Sequence, residues 1–124
     1  KEKKILIIED DPFLQSMYVT KLEANGYEVV SQEDGSKGFS SVQEESPDLI
    51  LLDILLPGKD GFEILEELKA DKSAKKIPVI LLTNLGQRKD IERGLELGAV
   101  DYLIKAHFTP SEVIAKIEAV LKAA

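Results

Sequence analysis

Five short runs along the chain read as β-strands: Lys4–Ile8, Glu28–Ser31, Leu49–Leu52, Val79–Leu82 and Asp101–Ile104. The first, third and fourth are nearly unbroken Ile, Leu and Val, the composition of strands buried on both faces. The second is short and mixed, which suits an edge. Between the runs, apolar residues recur at the spacing of amphipathic helices. Five strands alternating with five helices predict an α/β fold, a parallel doubly wound sheet covered on both faces. No internal repeat or Pro/Gly-rich linker breaks the pattern, so residues 1–124 are expected to form one domain.

The helix ends carry their own signals. Asp11-Pro12 reads as an N-cap with proline at the first helical position, after which Leu14, Met17, Tyr18 and Leu22 share one face. Gly26 is placed to end that helix in a left-handed cap. Asp60 with Glu63 makes a capping-box pattern around Phe62, Ile64, Leu65 and Leu68. Thr109 with Glu112 repeats it ahead of Val113, Ile114, Ile117, Val120 and Leu121. The helix from Arg88 to Leu97 has the thinnest apolar face and is expected to be the least firmly packed.

Composition narrows the function. At 124 residues the chain can bury a substantial core. Its 16 basic and 23 acidic residues give a net charge of -7, which argues against DNA or RNA as a direct ligand, because phosphate contacts need basic patches. Cysteine is absent, which excludes disulfide and thiol chemistry. Apolar runs such as Leu49–Leu52 are far too short to span a bilayer, and no signal-peptide pattern precedes the first strand. No DNA-binding pattern follows the last helix. A cytoplasmic setting is expected.

The strand ends are where polar residues collect. Asp53 closes the third run, and a lone carboxylate there is costly unless a cation or a reaction compensates its charge. The first run ends in Glu9, Asp10 and Asp11, the fourth in Thr83 and the fifth in Lys105. In an open parallel sheet the carboxyl ends of neighbouring strands meet at one crevice, where ligands bind. Carboxylates, a hydroxyl and an ammonium gathered there suit phosphoryl transfer. Asp11 reads better as a helix cap, since Pro12 follows. Glu9, Asp10 and Asp53 would repel one another without a hard cation between them, and magnesium takes one or two carboxylates plus waters and phosphate oxygens. The expected ligands are Asp10 and Asp53 directly, with Glu9 acting through water. Asp53 is also a competent nucleophile toward phosphorus, forming an acyl phosphate. Lys105 would then pair with one phosphoryl oxygen and Thr83 would donate to another. Taken singly, Lys105 also reads as a structural ion-pair partner of Asp53, and Thr83 as an ordinary strand residue.

Four motifs, Ile-Ile-Glu9-Asp10-Asp11, Leu-Leu-Asp53-Ile-Leu-Leu-Pro57-Gly58-Lys59-Asp60-Gly61, Leu-Leu-Thr83 and Gly98-Ala99-Val100-Asp101-Tyr102-Leu103-Ile104-Lys105, occur in that order. Together they resemble the receiver domain of bacterial two-component response regulators over essentially the whole chain. The resemblance implies a flavodoxin-like sheet of strand order 2-1-3-4-5. It implies that Asp53 accepts a phosphoryl group from a sensor histidine kinase or a phosphotransfer protein. That reaction would need magnesium, with manganese able to substitute, and the Leu55 backbone carbonyl would join Asp10 as a ligand. Thr83 and Tyr102 match a switch pair: the hydroxyl moves to the phosphoryl group, which brings about two negative charges, and the ring swings inward. An unswitched Tyr102 would be half-buried with its hydroxyl in water. The chain would be a signalling switch that catalyses only its own phosphorylation and dephosphorylation. Its partner face would comprise the fourth helix, fifth strand and fifth helix, a face also compatible with a homodimer of the phosphorylated form.

Several positions depart from that pattern. The family usually has proline after the lysine, often cis, whereas Ala106 stands here. A cis bond before a non-proline residue costs ~2.5–4 kcal/mol, so a trans bond and an altered loop are expected. His107, the only histidine, is expected to be an exposed loop residue. Asn84 replaces a residue that is usually small, and would crowd the phosphoryl pocket or hydrogen-bond within it. Leu55 and Leu85 are apolar flanks that would hinder the water needed for hydrolysis. The main competing function is a receiver-like interaction module that works without phosphorylation. A metal-dependent phosphatase using an aspartyl nucleophile would need a second carboxylate two residues on, where Leu55 stands. Nucleotide or flavin binding is disfavoured because the first strand leads into acids rather than a glycine-rich loop.

Overall fold

The computed structural model describes residues 2–123. Its strands are β1 (Lys4–Ile8), β2 (Glu28–Gln32), β3 (Leu49–Leu52), β4 (Val79–Thr83) and β5 (Asp101–Ile104). Its helices are α1 (Pro12–Ala24), α2 (Gly38–Glu45), α3 (Gly61–Ala70), α4 (Arg88–Glu96) and α5 (Pro110–Ala123). Short 3-10 turns lie at Gly35–Lys37, Ala74–Lys76 and Lys105–His107. All neighbouring strands are parallel, in the order β2-β1-β3-β4-β5. The expected sheet and strand order hold, with β2 at an edge. β2 and β4 each run one residue further than the apolar pattern, to Gln32 and Thr83.

The pleat sends alternate side chains to opposite faces, and two cores result. Leu6, Ile8, Ile50, Leu52, Leu81 and Tyr102 pack toward Val42 of α2 and Phe62, Ile64, Leu65 and Leu68 of α3. Ile5, Ile7, Leu49, Leu51, Ile80, Leu82 and Leu103 pack toward Tyr18 and Leu22 of α1 and Val113, Ile114 and Ile117 of α5. Each fully buried Ile or Leu contributes about 1.5–3 kcal/mol, so the central strands hold the sheet rigid beneath their polar ends.

The helix signals work as read. Asp11 Oδ1 accepts from the backbone N–H groups of Phe13 at 2.9 Å and Leu14 at 3.3 Å. Both bonds of the Asp60–Glu63 capping box are made, as are both between Thr109 and Glu112. Gly26, at φ +89°, turns the chain out of α1 toward β2. In α4 the one buried residue is Gly94, consistent with its thin apolar face. Among the described residues no helix is long and apolar enough to cross a membrane.

Register places the site. Ile8 pairs with Leu52, and Thr83 with Ile104. The residues that follow β1, β3 and β5 therefore emerge together at the carboxyl end of the sheet.

Candidate functional site

Lys105 is the hinge of the charge arrangement. Its Nζ lies 2.8 Å from Asp53 Oδ2 and 2.6 Å from Glu9 Oε1. Asp53 Oδ1 accepts from the Ile54 N–H at 2.6 Å and the Leu55 N–H at 3.3 Å, so both of its oxygens are engaged. Glu9 Oε2 accepts from the Asp11 N–H at 3.0 Å. The Asp53 backbone N–H continues the ladder to the Ile8 carbonyl at 3.0 Å, which sets the two acids side by side. Glu9 and Asp53 are buried, whereas Asp10 is exposed at the mouth.

One ammonium is therefore shared by two buried acids. Burial raises the Glu9 pKa, and the Lys105 hydrogen bond only partly opposes it. Burial pulls Lys105 downward, but its hydrogen bonds to Asp53 and Glu9 outweigh that and leave its pKa raised. The site holds one more negative charge than its lysine can balance, before Asp10 is counted. Glu9, Asp10 and Asp53 each offer an oxygen within 4.8 Å of the others. A set of hard oxygen donors with an exposed member at the mouth suits a small divalent cation. Leu55, whose carbonyl the resemblance adds to the ligands, sits in the β3–α3 loop with its side chain 56% exposed.

The hydroxyl side of the site is linked through one residue. Thr83 is fully buried at the end of β4, and its Oγ1 accepts from the Leu85 N–H at 3.3 Å. The Tyr102 hydroxyl donates to the carbonyl of the same Leu85. Tyr102 is buried, with its ring already inward, so the half-buried ring with a wet hydroxyl is not what the fold shows. Burial first, then the charges of Asp90 and Asp53, push the Tyr102 phenol up to about 12. Room for the ring comes from Gly94 of α4, where an added Cβ would lie 2.9 Å from Tyr102 Cδ2.

The departures resolve locally. No cis peptide bond occurs among the described residues, so the Lys105–Ala106 bond is trans as expected. His107 is exposed, within the 3-10 turn at Lys105–His107. Asn84 is exposed on the β4–α4 loop. Two supports had no clear signature in the sequence. Gln15 of α1 donates its side-chain N–H to the Glu9 carbonyl at 2.9 Å. The turn at Gly35 lies against the β3–α3 loop, its N–H donating to the Pro57 carbonyl at 3.0 Å; an Asp-Gly-Ser turn was the only hint of it. Phe13, 76% exposed near the start of α1, is the most exposed large apolar side chain of the described residues.

Comparison with known proteins decides the family. The model of the response regulator receiver domain matches residues 5–118. The chain belongs to the response regulator receiver family. Receiver domains of this family are signalling domains of two-component systems. Over 120 residues the chain is 41% identical to the phosphate regulon transcriptional regulatory protein PhoB of Escherichia coli K12, a match covering 97% of this chain and 52% of that protein. It is 42% identical over 119 residues to the DNA-binding dual master transcriptional regulator RpaA of Synechocystis sp. PCC 6803, covering 96% of this chain and 49% of that one. The chain thus spans about half the length of the curated relatives it matches. The name of the second describes a DNA-binding regulator, and this chain matches only about half of it, so the expectation of no direct nucleic-acid ligand is not confirmed. In structure it resembles the receiver domain of the sensor histidine kinase PA1611 of Pseudomonas aeruginosa PAO1, with a TM-score of 0.83 and 31% identity. That match covers 99% of this chain and 97% of the other, which coordinates a magnesium ion in its active-site cleft.

Proposed function

We propose that Asp53 is the phosphoacceptor of this receiver domain and that residues 1–124 act as one switching unit. The donor is a phosphohistidine on a sensor histidine kinase or phosphotransfer protein in the cytoplasm. An Asp53 carboxylate oxygen attacks the phosphorus; the P–O bond forms as the P–N bond breaks, and the electron pair leaves on the imidazole nitrogen. Lys105 exchanges its bond with Asp53 Oδ2 for one with a phosphoryl oxygen, and Thr83 turns its hydroxyl from the Leu85 N–H to another. Asp10, Asp53 and the Leu55 carbonyl, with Glu9 through water, would hold magnesium or manganese, which when bound neutralises charge on the transferring group. The chain catalyses only this transfer and the later hydrolysis of its own acyl phosphate. Movement of Thr83 and Leu85 passes to Tyr102 and so to the face formed by α4, β5 and α5, where a downstream protein or a second copy docks.

The observation that carries this reading is the ammonium of Lys105 shared by buried Glu9 and Asp53, 2.6 and 2.8 Å away. A buried acid with a nearby cation and exchangeable partners is poised for chemistry at that position. The test is intact mass after incubation with acetyl phosphate, with and without magnesium, beside Asp53→Asn. One phosphate added only with magnesium, and absent in the variant, supports the reading. A folded protein that gains none sinks it. One feature favours a second reading, a module that binds without phosphorylation: the Tyr102 ring is already inward in the unmodified protein. The same mass measurement separates the two.

A further inference from the structure

We propose that Gly35, in the turn after β2, is a positioning residue for the phosphoacceptor site. Its missing side chain lets that turn lie directly against the β3–α3 loop and hold Leu55 where the cation and phosphoryl group need it. The inference rests on the reading of Asp53 as phosphoacceptor.

The contact is made between main chains. The Gly35 N–H donates to the Pro57 carbonyl at 3.0 Å. A Cβ at Gly35 would overlap the Lys59 carbonyl oxygen and lie 2.8 Å from the Pro57 oxygen. Gly35 is not among the glycines with positive φ, which are Gly26, Gly58 and Gly98. Space, not backbone conformation, demands glycine here. From the loop side, Gly58 completes the fit: a Cβ there would lie 3.0 Å from Asp34 Oδ1 and 3.1 Å from Ser36 Cβ. That Asp34 oxygen is itself held by the Ser36 N–H at 2.9 Å and the Ser36 hydroxyl at 2.7 Å.

The base of the loop is tied in the same way. The Gly61 N–H donates to the Ile54 carbonyl at 2.8 Å, and a Cβ on Gly61 would overlap the Asp53 carbonyl. With tip and base both fixed, the loop has little freedom. Leu55 also donates its N–H to Asp53 Oδ1, so any tilt of the loop reaches the carboxylate. A misplacement of ~1 Å can cost about 100-fold in rate.

The test compares Gly35→Ala with Gly26→Ala. Gly26→Ala is strained by its φ of +89° but would meet nothing within 4 Å, so it lowers stability without touching the loop. Manganese affinity is read by electron paramagnetic resonance, phosphate addition from acetyl phosphate by intact mass, and stability by thermal melting. Gly35→Ala is expected to weaken manganese binding about 10- to 100-fold and to slow phosphate addition, while Gly26→Ala keeps both at a lowered melting temperature. Unchanged affinity in Gly35→Ala, or losses that track melting temperature alike in both variants, overturns the proposal. Amide exchange on the unaltered protein gives a reading that does not depend on a variant folding: the Gly35 N–H is expected to be protected, and free exchange there overturns the proposal too. If the unaltered protein neither binds manganese nor gains phosphate, the phosphoacceptor reading fails and takes this proposal with it.

Discussion

Lys105 and Asp53, 52 positions apart in the chain, meet as a 2.8 Å ion pair whose side chains are only 12% and 5% exposed. The pair is not closed, because Glu9 Oε1 lies 2.6 Å from the same ammonium. Two acids compete for one cation in a place that water barely reaches. Several measurable consequences come from that imbalance.

Lys105→Met removes the cation and leaves two buried carboxylates facing each other. Breaking a buried pair from one side costs about 3 kcal/mol. Urea unfolding at pH 7.5 is expected to show a loss of that size, and phosphate addition to Asp53 is expected to fall sharply. Part of the stability should return as pH falls, because burial raises the Glu9 pKa and protonating that carboxyl removes one of the facing charges. A variant as stable as the parent at pH 7.5 would contradict the view that Lys105 balances this site.

Glu9→Gln separates charge from hydrogen bonding. Burial disfavours the charged form of Glu9, and the Lys105 contact does not fully compensate. A glutamine oxygen can still accept from Lys105, but its NH2 then faces the Asp11 N–H from which Glu9 Oε2 accepts at 3.0 Å. The relieved burial of charge is set against about 1 kcal/mol for that lost hydrogen bond. The urea midpoint at pH 7 is therefore expected to move little, while manganese affinity should drop because one negative oxygen is gone. A midpoint lowered as far as in Lys105→Met would mean that Glu9 is already balanced.

Tyr102 gives a spectroscopic handle at alkaline pH. Its phenol is pushed up to about 12 by burial, with Asp90 and Asp53 adding to the shift; an unfolded tyrosine ionises near 10. The native state therefore holds this proton longer than the unfolded state does. The stability it contributes is complete below about pH 10 and is lost as pH rises toward about 12. Ultraviolet titration should show an ionisation near about 12 that is missing from Tyr102→Phe. Loss of an ionisation at about 10 in that variant, in place of the one at about 12, would put the Tyr102 hydroxyl in water.

Gly94→Ala tests the room left for that ring. An added methyl would lie 2.6 Å from Leu81 Cδ1 and 2.9 Å from Tyr102 Cδ2. Overpacking costs about 1–3 kcal/mol, against a helix-propensity gain of up to about 1 kcal/mol from alanine. A lowered melting temperature is expected, together with a Tyr102 titration moved back toward the ordinary value. A raised melting temperature would show that α4 simply slides aside.

Much of this was legible in the chain. β1, β3 and β4 stand out as nearly unbroken apolar runs, and the strand-end rule alone gathers Glu9, Asp53, Thr83 and Lys105. β2 and β4 read one residue short because Gln32 and Thr83 are polar yet still pair in the sheet. What could not be read were partners on the main chain. The Tyr102 hydroxyl finds a carbonyl 17 residues away, and no side-chain pattern marks a carbonyl. The sharing of Lys105 between two acids was equally hidden, since it depends on which oxygen each carboxylate has already committed to a backbone N–H.

The ties on the β3–α3 loop have one more consequence. Gly35 holds Pro57, and Gly61 holds Ile54, through peptide groups alone. The loop's path is thus set by these backbone ties together with buried Ile54 and the Lys59–Glu67 ion pair at 2.8 Å, and the exposed Leu55 side chain is not one of its anchors. Leu55, more than half exposed at the rim of the site, can be exchanged for an acid, an amide or a small residue without altering the path of the chain beneath it. If Asp53 is the phosphoacceptor proposed above, Leu55 is an adjustable position on a fixed frame, where one substitution changes how long the modification lasts while the groups that install it stay in place.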